Sequence, residues 1–232
     1  MKLGVFMLTG KELREVTQRH QEMQEQFRTV SIVGKEIEYL GKKFLVFKTV
    51  FWPFEDSVPL VENFVVRSEE SVLDVGTGSG VIAIFSVYKG AKRIVAIDIN
   101  PWAVKCAREN AKRHGFSDRI EVRKSDLFEA IKENEKFDVI TANLPFRNKV
   151  ATDFVEATVW DTRLRVNKTF FKQVGKYLNS SGRIYLSNAN FGSVREMKRL
   201  AGFHGFKVKK IGQKKMPGGD PRIFFAFELT RK

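Results

Sequence analysis

The sequence predicts an α/β fold built on a seven-stranded, mostly parallel sheet with a reversed C-terminal hairpin, preceded by a small N-terminal helix and β-meander. Three observations predict it. From Ser71 onward, short apolar strand-type runs alternate with helix-type runs, the signature of parallel strands joined by crossover helices. The first strand runs straight into a glycine-rich turn, Asp74-Val75-Gly76-Thr77-Gly78-Ser79-Gly80, and then into an apolar helix. The last apolar run, FFAFELT, follows the turn-rich stretch KKMPGGDPR and so pairs antiparallel with the strand before it.

Taken in order, Thr9 caps a polar, Gln/Glu-rich helix from Lys11 to about Phe27. The stretch TVSIVGKEIEYLGKKFLVFKTVF alternates apolar residues and breaks at Gly34 and Gly41, which reads as a small β-meander. Residues 1–48 are therefore an N-terminal extension, and 49–232 form the main domain. In that domain SVLDV, RIVAIDI, RIEVRKS and FDVITAN are the first four strands. VIAIFSVYKG, PWAVKCARENAKRHG and FEAIKEN are the helices between them. Helical signals continue over Asp153 to Trp160 and Val166 to Leu178. A strand at Arg183 to Asn188, a helix at Ser193 to Phe203 and a strand at Phe206 to Ile211 follow.

A length of 232 residues with 43% apolar content suffices for one well-packed core. No run approaches the roughly 18 apolar residues that span a bilayer, and Leu3 to Leu8 is short for a signal peptide, so a cytoplasmic protein without membrane partners is expected. The single cysteine, Cys106, falls inside a helical pattern and reads as a buried structural thiol. His20, His114 and His204 are scattered without ligand spacing, so no metal is expected. The net charge of +14 is lopsided: residues 1–48 carry +3, residues 49–162 carry −3, and residues 163–232 carry the remaining +14. Lysines on a merely solvated surface usually come with matching glutamates, which that last segment lacks, so a polyanionic partner is the favoured expectation.

The glycine turn is spaced GxGxG. The dinucleotide fingerprint GxGxxG would need glycine where the chain has Val81. Asp74 places a carboxylate beside the following helix N-terminus, where a pyrophosphate would be repelled but a ligand carrying an ammonium and a sulfonium would not. The pattern argues against a dinucleotide and for S-adenosylmethionine. Asp98 closes the next strand, 22 residues after Gly76, where a carboxylate can accept both ribose hydroxyl hydrogens; Asn100, before Pro101, already serves as helix cap. In Lys124-Ser125-Asp126-Leu127-Phe128, Asp126 could accept a hydrogen bond from an adenine amine or could cap the short helix after it, and both readings stay open.

Residues 71–146 resemble a class I S-adenosylmethionine-dependent methyltransferase, with DVGTGSG, AIDIN, SDLF and NLPF in that family's order. The resemblance implies a Rossmann-like fold in which the methionine end of the cofactor sits against the glycine turn, Asp98 holds the ribose, and Asp126 with Leu127 frames the adenine. The candidate cofactor set is Asp74, Gly76, Thr77, Gly78, Gly80, Asp98, Ile99, Ser125, Asp126, Leu127 and Asn143.

Asn143-Leu144-Pro145-Phe146 follows the fourth strand of the domain, at the carboxyl edge where ligands of open α/β sheets collect. A planar amine or amide nitrogen is a poor nucleophile; the Asn143 side chain and a neighbouring backbone carbonyl could accept its two hydrogens and aim its lone pair, while Phe146 stacks on the flat face. The tetrapeptide resembles the (Asn/Asp)-Pro-Pro-(Tyr/Phe) signature of methyltransferases acting on base amines and on glutamine amides, with Leu144 in place of the first proline. Upstream, VFWPFEDS resembles a segment of the glutamine methyltransferases that helps close over the cofactor; its aromatics could equally seal one end of the sheet. The basic C-terminal segment favours an exocyclic base amine of RNA as acceptor, with transfer or ribosomal RNA as partner. The alternatives are a protein acceptor, either a glutamine of a release factor or a ribosomal protein, and a non-catalytic S-adenosylmethionine-binding module.

Overall fold

The N-terminal extension is a helix and a single hairpin, seen in a computed structural model that describes residues 8–232. The predicted apolar stretch Leu3 to Leu8 lies outside these residues except for Leu8. Helix α1 (Gly10–Thr29) opens with the expected cap: Thr9 Oγ1 accepts from Glu12 N at 3.3 Å while the Glu12 carboxylate accepts from Thr9 N at 2.7 Å. The predicted meander reduces to β1 (Lys35–Tyr39) and β2 (Lys42–Val46), paired antiparallel only with each other. Leu40 and Gly41 both take positive φ at their turn, the geometry that a two-residue hairpin loop needs. Ile32 and Val33 are exposed in the turn after α1 rather than in a third strand.

A short helix that the sequence pattern does not announce, α2 (Val58–Asn63), precedes β3 (Ser71–Val75). Then come α3 (Val81–Tyr88), β4 (Arg93–Asp98), α4 (Pro101–Arg113), β5 (Ile120–Lys124) and β6 (Phe137–Ala142). The chain ends with α5 (Arg165–Tyr177), β7 (Leu178–Ala189), α6 (Val194–Phe203), β8 (Phe206–Lys215) and β9 (Ile223–Arg231). Seven strands form one sheet in the order β5-β4-β3-β6-β7-β9-β8, parallel except for β9, which is inserted antiparallel between β7 and β8. The expected architecture, with its reversed hairpin, is therefore the observed one.

Two predicted helices do not form. FEAIKEN is a series of turns: Ser125 Oγ accepts from Ala130 N, and Leu127 sits at φ 49, which diverts the backbone before a helix can start. Asp153 to Trp160 contributes only a 3-10 turn, Glu156–Thr158, because Trp160 leaves to bridge Arg147.

The sheet is covered on both faces. One side packs Phe170, Phe171 and Val174 of α5 and Met197 and Leu200 of α6 against the strands. The other packs Leu60, Ile84 and Val104, together with Tyr39 and Phe44 of the hairpin. A third cluster joins Val16 of α1 to Phe146, Phe191 and Phe224, so α1 lies against the segment predicted to carry the chemistry. Asn110 fastens the hairpin to the rest. Its Nδ2 donates to the carbonyls of Leu45 and Ser79 at 2.7 and 2.8 Å, and its Oδ1 accepts from Leu45 N at 2.7 Å, all fully buried. Asn110→Ala strands these backbone groups, and chemical denaturation should show a loss of about 2–4 kcal/mol. Cys106 is buried with its Sγ donating to Leu45 O, and burial pushes its thiol up to about 12, consistent with a structural role. Among the described residues, no helix is long and apolar enough to cross a membrane.

Candidate active site

Between β3 and α3 the backbone needs left-handed dihedrals at Gly76, Gly78 and Gly80 (φ 70, 55 and 83), which explains the residue type at each. The three glycines serve different ends. A side chain on Gly78 would point into open space, leaving its backbone free for a ligand's approach. At Gly80, by contrast, a Cβ would stand 3.1 Å from Ala107, so this glycine lets α3 pack on α4 and does not border the cavity. Asp74 also lies behind the wall: its two oxygens accept from Thr77 Oγ1 and Thr141 Oγ1 at 2.7 and 2.8 Å, tying the turn to β6. Burial pushes its carboxyl up to about 6.

A cavity of about 270 Å³ opens at the carboxyl ends of the parallel strands. Gly76, Thr77 and Gly78 line it, as do Asp98, Ile99, Ser125, Asp126, Leu127 and the whole Asn143-Leu144-Pro145-Phe146 segment. Asp98 accepts from Gly78 N and Asn100 N, each at 2.9 Å, which fixes its carboxylate at the wall; burial raises its pKa against those two donors. Asn100 caps α4 by accepting from Trp102 N, as expected. Asp126 has no helix to cap, which removes one of its two readings; its carboxylate instead meets Arg165 at 3.1 and 3.3 Å. These residues suit an S-adenosyl group. Open space beside Gly78, a fixed carboxylate at Asp98 and the apolar surfaces of Ile99 and Leu127 offer a backbone cradle, a diol acceptor and faces for a planar base.

At the other end of the cavity, Asn143 donates from Nδ2 to Asp56 Oδ2 at 2.5 Å. The remaining oxygens of this pair, Asn143 Oδ1 and Asp56 Oδ1, are buried and have no hydrogen-bond partner among the described residues. The Pro145 carbonyl is taken by Asn167 Nδ2 at 2.8 Å. Asn167 is in turn held by Asp161, whose carboxylate also accepts from Val166 N and so anchors the start of α5. Phe146 borders the cavity but is mostly buried, set edge-on to Phe191 at 5.7 Å.

Five contributors escaped sequence reasoning. Asp56 belongs to the VFWPFEDS segment, of which only the aromatics drew attention. Val50, Phe51, Pro53 and Phe54 do line the cavity, while Phe51 and Trp52 also pack on Phe27 of α1, so the segment both walls the cavity and seals its end. Asn167 was hidden in a stretch read only as helical, and Asp161 in the gap between two such stretches. From α1, His20 and Met23 reach the cavity. Burial, reinforced by Arg147, pushes His20 down to about 3 and keeps the imidazole neutral.

The family model for ribosomal protein L11 methyltransferase matches residues 57–151, a span that contains the glycine turn, Asp98, Ser125 to Leu127 and the Asn143 to Phe146 segment. A candidate protein N5-glutamine methyltransferase of Methanocaldococcus jannaschii is 32% identical over 200 residues, covering 83% of this chain and 99% of that protein. A release factor glutamine methyltransferase of Koribacter versatilis is 35% identical over 129 residues, 53% of this chain and 45% of the relative. Among solved structures, a ribosomal protein L11 methylase of Lactobacillus delbrueckii subsp. bulgaricus superposes with a TM-score of 0.53 at 26% identity, covering 74% of each chain.

Proposed function

We propose, from the premise that this chain belongs to the S-adenosylmethionine-dependent methyltransferases of the protein N5-glutamine type, that its methyl acceptor is the side-chain amide nitrogen of a glutamine in a protein. The observation that carries this reading is the state of Asn143. With its Nδ2 engaged by Asp56, its Oδ1 is the end left for a ligand, buried and without a donor. A primary amide brings two N–H donors to such a place, and its own carbonyl needs a partner elsewhere.

When bound, S-adenosylmethionine supplies a methyl group on a positively charged sulfur. The protein's part is positioning. Asn143 Oδ1 would accept one amide hydrogen and turn the nitrogen lone pair toward the methyl, a task worth several kcal/mol when the geometry is held before the substrate arrives. The Asp161-Asn167-Pro145 chain of hydrogen bonds would keep the Asn143 loop rigid under that load. Asp98, on this reading, takes the ribose hydroxyls, and Gly76 to Gly78 face the methionine end.

An RNA base amine, favoured by the charge distribution, gains no support from these relatives, and the charge has another physical use. Lys207, Lys209 and Lys215 are exposed on β8, which forms an outer edge of the sheet, and lysines there discourage pairing with another strand. The test is to incubate the protein with labelled S-adenosylmethionine and separated protein and RNA fractions from cells lacking its gene. Label in the protein fraction is expected; label confined to RNA would overturn the reading.

A further inference from the structure

Asp56 is placed where no positioning role alone explains it. It lines the cavity, is 5% exposed, lies against the Asn143 side chain at 2.5 Å, and has a buried second oxygen without a donor among the described residues. An asparagine there would accept from Asn143 equally well without the cost of an ionised carboxylate in the interior. Ser57 supports the segment from behind, its Oγ 3.0 Å from Tyr39 Oη and donating to Phe54 O. Building on the glutamine reading, we propose that Asp56 is the proton acceptor of the transfer, taking through Oδ1 the amide hydrogen that does not go to Asn143.

The balance is simple. The amide nitrogen's lone pair forms the new N–C bond as the S–C bond breaks and its electron pair remains on sulfur. The nitrogen then carries one hydrogen too many, and an N–H bond breaks with its electron pair returning to nitrogen and its proton going to the Asp56 carboxylate. Neutral amide and carboxylate become methyl amide and carboxylic acid, and the sulfonium becomes a neutral thioether. Two acceptors on side chains bonded to each other, Asn143 Oδ1 and Asp56 Oδ1, match an NH2 group and no secondary nitrogen, so on this proposal one methyl is transferred and a second is refused.

The groups facing Asp56 bear on its titration. Glu55, next in the chain, raises it, and Lys214 lies 2.5 Å from Glu55 Oε2; Tyr39 faces it through Ser57, and Arg222 and His20 share the cavity wall. Burial is the main cause of a shift to about 7, partly offset by the bond from Asn143. The folded pKa therefore exceeds the unfolded 3.8, and the folded form holds the proton more tightly between those values. Stability from this group is full at low pH and falls as pH rises through about 7, while the base form needed for catalysis appears over the same rise.

Asp56→Asn tests this with the full chain and a purified release factor as acceptor. The variant should bind S-adenosylmethionine within about threefold of wild type and lose about 10²–10⁴-fold in kcat. Its residual rate should lack the rise through neutral pH that wild type shows. It should also melt higher than wild type at pH ~8, by a margin that narrows at pH ~5 and closes below pH ~4. A kcat within about threefold of wild type, or the same rise with pH, would overturn the assignment. Failure of wild type to methylate the release factor would sink the glutamine reading instead. The melting comparison still decides on Asp56 in that case, since equal differences across this pH range would mean that it carries no buried titrating charge.

Discussion

Asn143→Ala should lower kcat by about 10³-fold while leaving S-adenosylmethionine affinity within about threefold. The expectation follows from where the side chain sits. Its Nδ2 is spent on Asp56, so on the proposed reading the acceptor oxygen meets substrate, and alanine removes it without touching the glycine turn or Asp98. Removing the amide also frees Asp56 from its donor, which raises that carboxyl further and compounds the loss near neutral pH. Single-turnover rates at saturating cofactor, alongside calorimetric binding, separate the two effects. A fall in affinity as large as the fall in rate would mean that Asn143 holds the cofactor rather than the acceptor.

Asp98→Ala should do the reverse, raising the S-adenosylmethionine dissociation constant by about 10²-fold, as loss of two hydrogen bonds to a charged acceptor implies. Part of that loss is indirect, because Asp98 also accepts from Gly78 N and Asn100 N and so shapes the turn it faces. Asp98→Asn keeps one acceptor oxygen and should lose less. At saturating cofactor both variants should approach the wild-type kcat. Unchanged binding in both would remove Asp98 from the cofactor's contacts.

The fold was legible because its signals are periodic and local: apolar strands, breakers at Gly and Pro, and a final strand behind KKMPGGDPR. The residues proposed to hold the cofactor were legible for the same reason, since Gly76, Gly78 and Leu127 follow a strand and Asp98 ends one, and all four line the cavity. What could not be read depends on contacts across long stretches of chain. Asp56 meets Asn143 from 87 residues away, Asn167 reaches Pro145 from 22, and His20 comes to the cavity on a helix read only as polar. Asp74 and Gly80 belong to the right motif but are used for packing, because a motif fixes residue types and not which way each faces. FEAIKEN has helical composition over too few residues to nucleate, so Ser125 and the turn at Leu127 decide its path. Charge alone names no acceptor: Lys207, Lys209, Lys210, Lys214 and Lys215 lie along an edge strand, where lysines protect as well as attract.

The central claim, that the acceptor is a glutamine amide held between Asn143 and Asp56, is tested most directly by fragment mass spectrometry of a release factor incubated with the protein and S-adenosylmethionine. The account predicts one methyl group, on the side-chain nitrogen of a glutamine, with no dimethylated product at long times. A methyl group on lysine or on the protein's amino terminus, or a second methyl on the same glutamine, would contradict it.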